Sequence, residues 1–214
     1  MHQVSEALSR PARLAMVVLG DSLASGFGAS AHENGLAHRI FSQLRIERPE
    51  STYANLAVPH STMGDVLRHQ VPQLHGLQAD VVLLIAGAND LRYTRDTFVF
   101  ARRFRHLLQA VHDAAPDALV IAGGMPDVTQ TVGVPPLLRP AILRICARLN
   151  ETMRRIIAER DDCFVDLFKF TNAPLQAASS YLCEDGYHPN DFGYAEISER
   201  AFPAIAEKLS ALFD

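Results

Sequence analysis

Apolar and polar positions along the chain fall into two alternating patterns. Five short runs are continuously apolar and rich in β-branched residues, as strands covered on both faces are: "LAMVVLG" at 14–20, "TYANLAV" at 52–58, "DVVLLIAG" at 80–87, "ALVIAGG" at 118–124 and "CFVDLF" at 163–168. Between the runs, apolar residues recur at helical spacing. Leu36, Ile40 and Leu44 form one such set, Ala101, Phe104, Leu108 and Val111 a second, Ile142, Ile145, Leu149, Met153 and Ile156 a third, and Ile197, Ala201, Ile205 and Leu209 the last. Each set predicts an amphipathic helix with one stripe turned inward. Strands alternating with helices imply βαβ crossovers, so the pattern predicts an α/β fold: a three-layer α/β/α sandwich around a five-stranded parallel sheet. The least regular piece, "MPDVTQTVGVPPLLRP" at 125–140, has the prolines and glycine of an ordered loop.

A length of 214 residues with 48% hydrophobic content suits one large domain, residues 1–214, and is short for two. Charged residues make up 21%, the net charge is -4, and the basic side chains are scattered. Neither a nucleic-acid stripe nor a polybasic membrane patch is present, which leaves a small molecule as the expected partner. The three cysteines, Cys146, Cys163 and Cys183, are odd in number and lack C-x-x-C spacing. That argues against a disulfide framework and a zinc site, and favours a reducing compartment. The only apolar run near the N-terminus is short, broken by Pro11 and Arg13, and leads straight into a glycine cluster. It resembles neither a signal peptide nor a spanning helix, so the expectation is a cytoplasmic protein without integral membrane association. Oligomeric state is not legible in the sequence.

In an open parallel sheet, ligands bind outside the carboxyl ends of the strands, so the residues just after each strand carry the chemistry. After the first comes Gly20-Asp21-Ser22-Leu23, after the second Pro59-His60-Ser61-Thr62, after the third Gly87-Ala88-Asn89-Asp90, and before the final helix Asp185-Gly186-Tyr187-His188-Pro189-Asn190. Taken alone, Ser22 after a strand reads more readily as a helix-cap or turn residue than as a nucleophile. The surrounding glycines lack the lysine of a phosphate loop and the spacing of a dinucleotide fingerprint. Acyl transfer needs a nucleophile, a base, a group that orients the base, and donors for an oxyanion. Ser22 can be the nucleophile, His188 the base, Asp185 the orienter and Asn89 a side-chain donor. Pro189 disfavours helix at His188, and Asn190 or Asp191 can cap the helix that follows.

G-D-S-L at Gly20–Leu23, G-x-N-D at Gly87–Asp90 and D-x-x-H at Asp185–His188, in that order, resemble the SGNH hydrolases, the GDSL family of esterases and lipases. The resemblance implies a flavodoxin-like strand order, 2-1-3-4-5, which sets the first and third strands side by side and brings Ser22 to Asn89. It also implies a serine hydrolase that cleaves carboxylic esters through an acyl-enzyme, with catalytic Ser22, Asp185 and His188, an oxyanion hole of Ser22, His60 and Asn89, and neither cofactor nor metal. Thioesterase and acyltransferase activities use the same site.

One block departs from the family. Where its pattern reads N-x-x-x-x-G, counting from Asn55 puts His60 at the glycine, and Gly64 falls in what reads as the next helix. The donor there is a main-chain N–H, which histidine also has, but glycine permits a positive φ that other residues resist. A non-catalytic ligand-binding protein on the same scaffold, its oxyanion hole decayed at His60, is the competing expectation. Asp21 and Asp90 read as supports for their turns, and Cys183 as a half-buried packing residue. His32, His38, His69, His75, His106 and His112 read as surface or helix-face residues. Phe27, with Val132, Val134, Leu137 and Leu138, suggests an acyl or aryl pocket.

Overall fold

The computed structural model describes residues 13–129, 134–172 and 179–213. The five predicted runs form β1 (Ala15–Gly20), β2 (Thr52–Asn55), β3 (Val81–Ile85), β4 (Leu119–Gly123) and β5 (Cys163–Val165), parallel throughout and ordered β2-β1-β3-β4-β5. The helices are α1 (Ser22–Ser25), α2 (Leu36–Glu47), α3 (Met63–Asp65), α4 (Thr97–Ala114), α5 (Arg139–Ala158), α6 (Leu167–Asn172) and α7 (Asp191–Phe213). This is the three-layer α/β fold in the expected order.

Alternation along the central strands explains the layers, because successive side chains point to opposite faces. Val17, Leu19, Val82, Leu84, Val120 and Ala122 meet Phe104, Leu107, Leu149 and Met153 of α4 and α5 on one side. Met16, Val18, Leu83, Ile85, Ile121 and Val165 meet Leu36, Ile40 and Leu44 of α2 and Ile197, Ala201, Ile205 and Leu209 of α7 on the other. Each of these side chains larger than alanine, once buried, contributes roughly 1.5–3 kcal/mol of transfer free energy. The helical stripes read from the sequence are these faces.

Every strand is shorter than its apolar run, and in two of them the cause is local. β2 is an edge strand whose residues are exposed or half-buried, not covered on both faces. Its chain still leans on β1 beyond Asn55, through Leu56 N–H to Val18 O at 2.9 Å and Val58 N–H to Gly20 O at 3.2 Å, before turning away. β5 stops at Val165 because Asp166 Oδ1 accepts from Lys169 N–H at 3.0 Å and starts α6. His112 lies on a face of α4, within the surface or helix-face reading, and does more there than cover the helix. It is half-buried, its Nε2 lies 2.8 Å from Asp162 Oδ2, and Asp162 Oδ1 accepts from Val120 N–H, which ties α4 to the sheet. Among the described residues no helix is long and apolar enough to cross a membrane.

The pairing of β1 with β3 places Gly20 opposite Ile85. Gly20 has φ +145°, and a Cβ there would stand 2.0 Å from Ile85 O. Only glycine lets the chain cross so close to its neighbour, and that crossing delivers the next two residues to the strand-end crevice.

Candidate active site

Beyond Gly20 the chain turns into α1 at once. Asp21 is the N-cap, accepting from Leu23 N–H at 3.1 Å, and Gly26 closes the short helix in the left-handed conformation. Ser22, the first helical residue, is 8% exposed. Its hydroxyl faces a loop from the far end of the sequence. There Asp185 Oδ1 accepts from the main-chain N–H of Tyr187 at 2.8 Å and of His188 at 2.9 Å, a tight turn that fixes its carboxylate against the ring three residues on. Asp185 Oδ2 lies 2.6 Å from His188 Nδ1, and His188 Nε2 lies 3.0 Å from Ser22 Oγ. The three residues singled out in the sequence thus form one hydrogen-bonded line.

Several contacts hold that line in register. Asn190 Oδ1 caps α7 by accepting from Phe192 and Gly193 N–H at 3.0 and 3.1 Å, so His188 sits in a loop at the helix mouth, as Pro189 requires. Leu182 bridges Pro189, and Cys183 N–H donates to His188 O at 2.8 Å. On the serine side, Gly28 has φ +95° and comes so near that a Cβ would lie 2.6 Å from Pro189 O. Tyr194 Oη donates to Phe27 O at 2.6 Å, and Phe27 sets its ring edge against His188 with centroids 4.7 Å apart.

Cys183 does more than pack. Its thiol donates to Asp185 Oδ1 at 3.0 Å, a third donor on that oxygen. Burial pushes the Asp185 carboxyl up, but the hydrogen bonds from Cys183, His188 and Tyr187 outweigh it and hold the group well below the usual carboxylate range. Asp185 therefore stays anionic beside the imidazole. Asp21 behaves oppositely. Burial raises its carboxyl to about 7, a hydrogen bond from Leu23 opposes that rise, and the nearby Asp90 adds to it. Asp90 supports its own turn, as expected, and reaches further: Oδ2 accepts from Met63 N–H at 2.9 Å, and Oδ1 lies 3.5 Å from Arg103.

The third element is the turn after β2. His60 has φ +67°, one of two non-glycine residues with positive φ among those described. It adopts the left-handed conformation that the glycine of the family pattern would take freely. Gly64 falls in α3, as the sequence suggested. Asn89 Nδ2 donates to Ser61 O at 3.1 Å, which leaves its second amide hydrogen for the crevice. Sequence reasoning missed the residue that joins these pieces. Gln70, almost wholly buried, accepts from Gly20 N–H at 2.7 Å, donates to Gly20 O at 2.9 Å and reaches Ser61 Oγ at 3.3 Å, binding the serine turn to the His60 turn. Its only signal is a π-helical turn, Val66–Gln70, which no local sequence pattern announces.

Ser22, His188 and Asn89 line a cavity of about 50 Å³ together with Asp21, Pro126 and Leu182. A larger cleft of about 440 Å³ adjoins it, sharing Ala88, Asn89, Val128 and Tyr187. Of the residues expected to form an apolar pocket, Val134 lines this cleft and Phe27 stands half-exposed against His188. Leu137 and Leu138 instead point outward, Leu137 with 90% of its surface exposed, because the turn at Pro136–Leu138 lifts them off the sheet. Val132 lies outside the described residues.

Residues 18–196 match the sequence model of the GDSL-like Lipase/Acylhydrolase family. The fold is similar to the psychrotrophic esterase EstA from Pseudoalteromonas sp., at TM-score 0.71 and 20% identity over 92% of this chain and 98% of that one. It is similar to a member of the lipolytic protein G-D-S-L family from Veillonella parvula, at TM-score 0.70 and 15% identity over 90% and 98%. An extracellular lipase from Streptomyces rimosus gives TM-score 0.63 and 22% identity over 91% and 99%. At these identities the likeness to each structure is one of fold. No curated protein matches the chain in sequence.

Proposed function

The chain belongs to the GDSL-like lipase/acylhydrolase family, and from that premise we propose that it is a serine esterase acting through an acyl-enzyme on Ser22. The observation that carries the reading is the line from Asp185 Oδ2 to His188 Nδ1 at 2.6 Å and from His188 Nε2 to Ser22 Oγ at 3.0 Å. His188 takes the hydroxyl proton as Ser22 Oγ attacks the ester carbonyl carbon, and the anionic Asp185 stabilises the imidazolium that forms. The oxyanion is held by the main-chain N–H groups of Ser22 and His60 and by the free amide hydrogen of Asn89. The C–O bond then breaks, and His188 returns its proton to the leaving alkoxide. Water, deprotonated by the same imidazole, attacks the acyl-serine carbonyl; collapse releases the acid and restores Ser22.

The non-catalytic alternative rested on histidine being unable to take a glycine's place. The left-handed φ of His60 favours the hydrolase reading, since the N–H keeps the direction the glycine would give it. Residues 1–214 are read as one hydrolase domain. Cys146, Cys163 and Cys183 are all unpaired, which supports a reducing, cytoplasmic setting.

The test is a panel of 4-nitrophenyl esters of increasing acyl length, run on the wild type and Ser22→Ala, together with labelling by a fluorophosphonate. The structure of the Pseudoalteromonas esterase is inhibited by monoethylphosphonate, so a phosphonate is an apt probe. Turnover and labelling that both vanish in Ser22→Ala are expected. Labelling that persists in that variant would place the nucleophile elsewhere.

A further inference from the structure

The 440 Å³ cleft beside the site has an uneven charge. Leu91, Val128, Val134, Ile142 and Ile145 give it apolar walls, and Arg92 and Arg95 are its charged lining residues; among the described residues no acidic side chain lines it. Neither arginine makes an ion pair or hydrogen bond among the described residues, although both are exposed and line the cleft. A paired arginine would be a strut for the loop after β3. Two unpaired ones at the mouth of an apolar cleft present positive charge to whatever enters.

The cleft's position decides which half of an ester it receives. Asn89 and Tyr187 border both cavities, whereas Ser22 and His188 border only the small one. The leaving oxygen must meet the proton on His188 Nε2 and so departs on the small-cavity side. The substituent on the far side of the oxyanion from His188 is the one that stays on the serine, the acyl chain. Building on the esterase reading above, we propose that the preferred acyl group is an apolar chain bearing a terminal carboxylate, with its methylenes against Val128, Val134, Ile142 and Ile145 and its carboxylate paired with Arg92 and Arg95. Arginine suits that role because its planar fork meets a carboxylate with two parallel hydrogen bonds.

The test compares 4-nitrophenyl monoesters of adipic and suberic acid with 4-nitrophenyl hexanoate and octanoate, which match them in acyl length and lack the charge. The quantity read is the ratio of kcat/KM for the acidic ester to that for the neutral one, so a general loss of activity cancels. The wild type should give a ratio above one, which falls as salt is raised. In the Arg92→Gln/Arg95→Gln double variant the ratio should drop about tenfold, and the corresponding lysine variant should recover part of it. A wild-type ratio below one, or a ratio the double variant leaves unchanged, overturns the proposal while leaving the esterase reading intact. If no ester turns over, the esterase reading fails. Calorimetric titration of monomethyl suberate into Ser22→Ala then decides: binding weakened by the double substitution supports the arginine site, and binding that is absent or indifferent to it overturns the site.

Discussion

Replacing His60 tests the proposed oxyanion turn most directly, because glycine, alanine and proline each alter a different property of the same peptide. At φ +67° a side chain costs roughly 1–2 kcal/mol through contact between Cβ and the neighbouring carbonyl. Glycine removes that cost but is freer in the unfolded chain, which gives back about 0.4–1 kcal/mol. Alanine keeps the Cβ and loses the imidazole, as glycine does, so comparing these two variants isolates the backbone. The difference is about 1 kcal/mol in favour of glycine, or about 2–4 °C in Tm for a chain of this size. Both variants retain the main-chain N–H, so ester turnover should stay within about tenfold of wild type. Proline is locked near φ -65° and lacks the N–H, so it cannot adopt this turn. It should lose at least the 10²- to 10³-fold in kcat typical of one missing oxyanion donor, and the loop with it. The assay is a thermal melt and a nitrophenyl ester kcat on each variant. An alanine variant that melts above the glycine one refutes the strain argument. A folded alanine variant that has lost activity as fully as the proline variant assigns the function to the imidazole instead.

Other outcomes follow from the same geometry. Ser22→Ala and His188→Ala should each lower kcat by several orders of magnitude with circular dichroism unchanged, since members of a triad act as a unit; wild-type turnover in either variant refutes the assignment. Gly28→Ala sets a Cβ 2.6 Å from Pro189 O at a φ of +95°, so the His188 loop must shift by a good fraction of an ångström, and kcat should fall about 10²-fold; unaltered kinetics would show that the two loops are not in fixed register. Asp21 has a folded-state value of about 7 against an ordinary 3.8. Its contribution to stability is therefore present below about pH 4 and lost as pH rises to 7, with a ceiling of about 4 kcal/mol. Asp21→Asn keeps an acceptor for Leu23 and never ionises, so its Tm relative to wild type should climb between pH 4 and pH 8; a difference that is flat or reversed across that range refutes the buried-acid reading.

Much of this arrangement is legible in the chain because it depends on local signals that coincide with strand ends. Gly20, Asn89 and His188 each follow or precede a strongly patterned element, and the adjacency of β1 and β3 then converges them. What escapes the sequence depends on contacts between distant segments. Nothing around Gln70 foretells that its amide will join Gly20 to Ser61, because the partners are the backbone of one distant turn and the hydroxyl of another. The thiol of Cys183 reads as a packing group until the turn at Asp185 brings the carboxylate beneath it. β2 looks fully buried in composition, yet it is an edge strand, and position in the sheet overrides residue preference. His60 is the converse: the sequence locates the departure, and only the backbone dihedral shows how it is accommodated.

The hydrogen bond between Ser22 and His188 spans 166 residues. The serine turn can form as soon as β3 has been synthesised, whereas the base arrives only with the loop ahead of α7. On the proposed reading, a chain that stops short of Asp185 carries Ser22 without its base, and the serine is not activated until that loop is in place. Because α7 and α2 share one apolar face of the sheet, seating α7 also seats the loop that carries His188, so on the proposed reading turnover reports that the two distant halves of the site have come together.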